Sequence, residues 1–111
     1  MDKVVTLIKK VLKDHKAEDI SVIDVSERTP FAEYYVLCSA TNIRQIGALA
    51  DAVIDKLEEK KINYSHKEGT PESGWILIDA YHVIVNVFSK EERERVSIEQ
   101  VLSNSKRSNF A

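Results

Sequence analysis

The chain has 111 residues, the size of one domain, and a chain of that length can bury about two-thirds of its unfolded surface without a disulfide or metal staple. Apolar residues make up 43% and charged residues 31%, the balance of an ordinary globular protein and not of a disordered one. The 16 Lys and Arg against 18 Asp and Glu leave a formal charge of −2, without the basic excess that phosphate neutralisation demands, so direct nucleic-acid binding is not expected.

Residues 2–16 predict an amphipathic helix, because Val4, Leu7, Ile8, Val11 and Leu12 recur at helical spacing with lysines on the other face. The same stretch holds no signal-peptide core, and no apolar run approaches the ~20 residues that span a bilayer. A cytoplasmic chain with no membrane role is expected. Residues 20–26 predict a strand with Ile20 and Val22 inward and Ile23 as a third candidate. Thr29-Pro30 marks a turn. Residues 32–40 form a near-continuous apolar and aromatic run, the pattern of a central strand covered on both faces.

Asn42, with Gln45 three residues on, opens a second helix in the manner of a capping box. Ile46, Leu49, Ala50, Val53, Ile54 and Leu57 carry its stripe to about Lys60. Gly47 interrupts that helix at a cost of roughly 1 kcal/mol relative to Ala, which predicts a close backbone approach to the sheet. Residues 62–68 predict a short strand, and Gly69 to Gly74 a turn rich in Gly, Pro and Ser. Residues 75–79 and 83–88 predict an antiparallel hairpin joined by Ala80-Tyr81-His82. Residues 90–103 predict a terminal helix, closing a single domain over 1–103, and 104–111 a frayed tail.

The order of elements asks for an α+β fold, a sheet of about five strands with flanking helices. A right-handed crossover from the second strand through the helix to the third makes that sheet mixed.

The residues that could carry chemistry are scattered. His15, His66 and His82 have no ligand spacing, and Cys38 is the lone cysteine, so neither a metal site nor a cofactor is expected. Cys38 lies inside an apolar strand, where a thiol is an inert small hydrophobe. Ser39 sits in no Gly-x-Ser-x-Gly elbow, and Gly47, Gly69 and Gly74 make no phosphate loop. Asp24 and Asp79 end apolar strands and Glu33 starts one. A nucleotidyltransferase-like enzyme would use such a trio on Mg²⁺, whereas the simpler reading has them capping turns. No catalytic residue is assigned.

The aromatic group is more informative. Trp75, Tyr81 and Phe88 lie in or beside the hairpin. Period-two alternation puts Trp75 and Leu77 on one face with Ile76 and Ile78 on the other, and sets Val83, Val85 and Val87 against Ile84, Asn86 and Phe88. Both faces are apolar. Either helices cover both, or one face near an edge is a docking patch built on aromatics. A hairpin edge and an amphipathic helix would also suit a homodimer.

Three stretches together resemble the ribosomal silencing factor family, also called RsfS or Iojap. The first is Asp24-Val25-Ser26, then Ala32-Glu33-Tyr34-Tyr35-Val36-Leu37-Cys38-Ser39-Ala40, then Arg44-Gln45. The second is Glu68-Gly69 followed by Trp75-Ile76-Leu77-Ile78-Asp79. The third is Val83-Ile84-Val85-Asn86-Val87-Phe88 with Glu92-Arg93 and Ile98-Glu99. Order and spacing match over about residues 5–102.

The resemblance implies a nucleotidyltransferase-like fold that has lost its catalytic residues. It also implies a translation repressor that binds a large-subunit ribosomal protein, the fourteenth, at the intersubunit face and sterically blocks subunit joining. Trp75, Asp79, Asn86, Phe88, Arg93 and Glu99 are then the expected contact surface, with Trp75 and Phe88 as apolar anchors. The chain departs from the family pattern in several places. Ala80-Tyr81-His82 replaces Tyr-Gly-Asp, and Asn86 replaces a His. Arg95 and Val96 replace an aromatic pair, and Leu102 a Trp.

Overall fold

A computed structural model describes residues 2–101. Helix α1 (Lys3–Asp14) starts where the Asp2 carboxylate accepts the backbone N–H groups of Val4 and Val5 at 2.8 and 3.1 Å. It ends in a Schellman turn, with Lys16 at φ 68° and the Ala17 N–H donating to the Leu12 carbonyl. Val5, Ile8, Val11 and Leu12 are its buried stripe.

Strand β1 (Glu18–Asp24) follows, broken by a bulge between Glu18 and Ser21, and pairs antiparallel with β2 (Tyr34–Ala40). β1 edges the sheet, so Ile20, Val22 and Ile23 are only half-buried. The run over 36–40 is buried throughout, as its composition predicts for an interior strand.

Helix α2 (Ile43–Glu59) is capped by Asn42, whose side chain accepts the Gln45 N–H at 2.8 Å. The Gln45 carbonyl reaches back to the Thr41 N–H, and its amide donates to the Lys16 carbonyl at 3.1 Å, which ties the start of α2 to the end of α1. Gly47 does not approach the sheet. A Cβ there would lie 3.2 Å from Pro71, so the close neighbour is the 3-10 turn Pro71–Ser73.

β3 is His66–Thr70, later than the expected 62–68. The Ile62 N–H is spent on the Leu57 carbonyl at the end of α2, and pairing with β4 starts only where Ser65 donates to the Asp79 carbonyl. Gly69 therefore belongs to a strand and not to a turn. β4 (Trp75–Ala80) and β5 (Val83–Ser89) form the expected antiparallel hairpin around Tyr81-His82.

The sheet is mixed, in the order β1-β2-β5-β4-β3. The parallel neighbour of β2 is β5, not the strand that follows α2, because β3 is carried to the far edge. α1 and α2 cover one face, packing on Val36, Cys38, Ile76, Ile78, Val83, Val85 and Val87.

Helix α3 (Lys90–Val96) is shorter than the expected 90–103. It stops at Ser97, which has φ 50° and whose hydroxyl donates to the Glu94 carbonyl. A serine that bonds the preceding turn competes with helix continuation. A new helical turn begins at 98, and the expected tail over 104–111 lies outside the described residues.

Candidate functional site

The second face of the sheet carries the other half of each strand's alternation. The register lines up Ile23, Tyr35, Ile84 and Asp79 in one row. Ser21, Leu37, Asn86 and Leu77 make the next, and Ser39, Phe88 and Trp75 the third. Among the described residues α3 lies over one end of this face, where it meets β5 and β2. Ile23, Tyr35, Leu77, Ile84 and Trp75 remain half-buried there, an apolar strip across four strands.

Trp75 is fixed from beneath. Its ring lies 5.0 Å, centroid to centroid, from that of Phe88 at a tilt of 33°. Its indole N–H donates to Asn86 Oδ1 at 3.0 Å. Indole is a donor only, so this bond settles which end of the amide faces it. The Asn86 Nδ2 group is left buried with no hydrogen-bond partner. Asn86 and Phe88 are thus not surface contacts: they are 1% and 0% exposed and act by setting the plane of Trp75. Asp79, in the next row but one, is half-buried, and its carboxylate makes no hydrogen bond or ion pair among the described residues.

Arg93 and Glu99 meet, but as a clamp. The guanidinium donates to the Asp19 carbonyl at 2.6 Å, to Ser39 Oγ at 3.0 Å and to Ser21 Oγ at 2.9 Å. It closes a two-point ion pair with Glu99, at 2.7 Å and 3.3 Å. Residues six apart do not share a face of a continuous helix, so the break at Ser97 is what turns Glu99 toward Arg93. Arg93 holds the Glu99 carboxyl below its ordinary value against partial burial, with help from Ser21. The Arg93 side chain is 13% exposed and Glu99's is 43%, which leaves the glutamate as the more exposed half of the pair.

The structure does not bring Asp24, Glu33 and Asp79 together. Asp24 and Asp79 lie three strands apart, about 14 Å at ~4.8 Å per strand, too far to share one ion. Asp24 is occupied in a turn, accepting from the backbone and hydroxyl of Ser26, and those bonds hold its carboxyl below the ordinary range. Cys38 is wholly buried, and burial pushes its thiol up to about 12 against a smaller opposing pull from Arg93. Tyr81 does not join Trp75 and Phe88; it sits at the other end of the hairpin, edge-on to His82.

Sequence reasoning missed Tyr35, Leu77, Ile84 and Ile23 as members of one strip. Alternation gives each residue's face, but only the order β1-β2-β5-β4 puts them side by side. It also missed Ser21 and Ser39 as acceptors for Arg93, which no local signal marks.

The chain matches, over residues 1–111, the family described as ribosomal silencing factor during starvation. It belongs to the ribosomal silencing factor family. A relative named ribosomal silencing factor RsfS, from Bacillus subtilis, is 33% identical over 88 residues, 79% of this chain and 75% of that one. A mouse relative named mitochondrial assembly of ribosomal large subunit protein 1 is 23% identical over 100 residues, 87% of this chain and 44% of that one. A crystal structure of a Chromobacterium violaceum protein superposes with a TM-score of 0.88 at 30% identity, covering 93% of this chain and 88% of that one. Membership in a silencing-factor family implies a role in ribosome regulation. No described helix is long and apolar enough to cross a membrane.

Proposed function

We infer that the chain represses translation in the cytoplasm by docking the Trp75 face onto a protein of the large ribosomal subunit, where it blocks joining of the small subunit. The carrying observation is the pinned Trp75 ring at the end of an apolar strip on the helix-poor face. Strips of this kind, with an aromatic anchor and polar groups at the rim, are what protein interfaces use. Trp75, Leu77 and Ile84 supply the apolar contact. Asp79 and Glu99 supply polar complementarity, and Asn86, Phe88 and Arg93 hold those groups in place. The name of the mouse relative, which refers to the large subunit, and the family description support the ribosome as the target. The action is steric and requires no turnover and no cofactor.

The test is co-sedimentation with purified large subunits. Wild type is expected in the pellet, and a folded Trp75→Ala variant in the supernatant. Trp75 is the only tryptophan, so its emission reports the same contact directly and should shift to the blue on docking. Wild-type protein that stays in the supernatant with micromolar subunits would refute the ribosome as target. Unimpaired pelleting of Trp75→Ala would refute the face.

A further inference from the structure

A second surface lies at the opposite end of β4 from Trp75, about 17 Å along the strand at ~3.4 Å per residue. Phe31 and Tyr81 are 82% and 77% exposed, the most exposed large hydrophobic side chains among the described residues. With Pro30, Glu33 and His82 they line an open cleft of about 360 Å³ between the β1–β2 loop and the β4–β5 turn. The two walls are joined from below. The Glu33 and Tyr34 N–H groups both donate to the His82 carbonyl, at 2.8 and 3.1 Å. The His82 ring is held to the Asp2 carboxylate at 2.6 Å, and the Phe31 N–H donates to Thr29 Oγ1 at 3.1 Å.

Tyr81 occupies this position at a cost. It has φ 64° and is the one residue of the two-residue turn in the left-handed region, where glycine or asparagine is favoured. The side chain held in that backbone meets the edge of the His82 ring and is otherwise left largely in solvent. Strain kept at an exposed position points to a use for the side chain.

The cleft also has a definite charge. Glu33 makes no side-chain hydrogen bond or ion pair among the described residues, and no Lys or Arg lines the opening. Exposed ring faces beside an unpaired carboxylate suit a flat, weakly hydrated cation, which stacks on the ring while its N–H groups meet the carboxylate. An anion would be repelled, and a purely apolar group would leave the carboxylate desolvated and unpaired.

We propose that the Phe31–Tyr81 cleft captures an arginine side chain of a partner protein. The proposal does not depend on the ribosome reading, since the cleft shares no residue with the face made by Trp75, Leu77, Ile84, Asp79 and Glu99.

The test is an NMR titration of the full chain with a short peptide of alternating glycine and arginine, and with the same peptide carrying norleucine for arginine. The expected result is saturable shifts at Phe31, Glu33 and Tyr81 with the arginine peptide only. Glu33→Gln should weaken that binding by about fivefold, in line with a partly exposed charged pair. Tyr81→Gly should abolish it while raising Tm, because glycine relieves the backbone. That opposite movement separates a binding role from a structural one. The proposal is overturned by no saturable shift at millimolar arginine peptide, or by equal shifts with the norleucine peptide. Full binding by Tyr81→Gly, or a Tm for that variant below wild type, overturns it as well.

Discussion

Replacing Arg93 by alanine removes a side chain that joins α3, β1, β2 and the turn after Ser97. Three of its bonds go to uncharged acceptors, and charge-assisted bonds of this kind contribute ~1 kcal/mol or more each when partly shielded. The pair with Glu99 adds only about 0.5 kcal/mol, because the glutamate is 43% exposed and screened by solvent. Arg93→Ala should therefore lower stability by about 3–4 kcal/mol, which is on the order of 15 °C in Tm for a domain of this size. Arg93→Lys keeps the charge but presents a point in place of a fork, and should lose about half as much. Urea denaturation measures both, with Glu99→Gln completing a double-mutant cycle whose coupling stays below ~1 kcal/mol. A loss under ~1 kcal/mol for Arg93→Ala with an unchanged m-value would show that the guanidinium does not clamp the fold. Arg93 would then have to be regarded as a direct partner contact.

Gly69→Ala should cost about 3 kcal/mol or more by denaturation, since φ is 94° and the new Cβ would fall 2.1 Å from the Trp75 carbonyl oxygen. Trp75→Phe keeps the ring contact with Phe88 but leaves both ends of the Asn86 amide without partners, for an expected loss of about 1–2 kcal/mol in the same assay. Cys38, the only thiol, should resist a thiol-specific reagent at pH 8 until the protein opens globally, so its labelling rate should follow denaturant as unfolding does.

Stability should also fall in acid. Burial works against the charge of Asp2, but the Val5 N–H, His82 and the Val4 N–H outweigh it, and Arg93 does the same for Glu99. Both folded values lie below the ordinary 3.8 and 4.5, so their contribution is complete above those values and is lost as pH falls through the folded ones. Denaturation midpoints should be flat above pH 4.5 from these groups and decline below it, and Glu99→Gln should shrink that decline.

The sequence by itself determined the elements and their faces. The stripes of α1 and α2 and the alternation of β4 and β5 place most apolar residues on the right face, because burial is periodic in the backbone's own repeat, although at the start of α1 the buried residue is Val5, with Val4 and Leu7 half-buried. The family was legible from motifs spread over all three strand groups, which local spacing preserves. The tertiary structure alone decided what those residues do together. Strand order made one strip of Ile23, Tyr35, Ile84, Leu77 and Trp75, and no local pattern encodes which strands become neighbours. The same pairing buried Phe88 and Asn86 beneath Trp75, where the family resemblance implies contact residues. The break at Ser97 turned Glu99 onto Arg93 and made a clamp of two residues expected at an interface. A side chain's face is set by its nearest neighbours in the chain. Its exposure and its partners are set by contacts from residues 54 to 74 positions away, as Arg93 shows with Ser39 and Asp19, and only the folded chain brings those together.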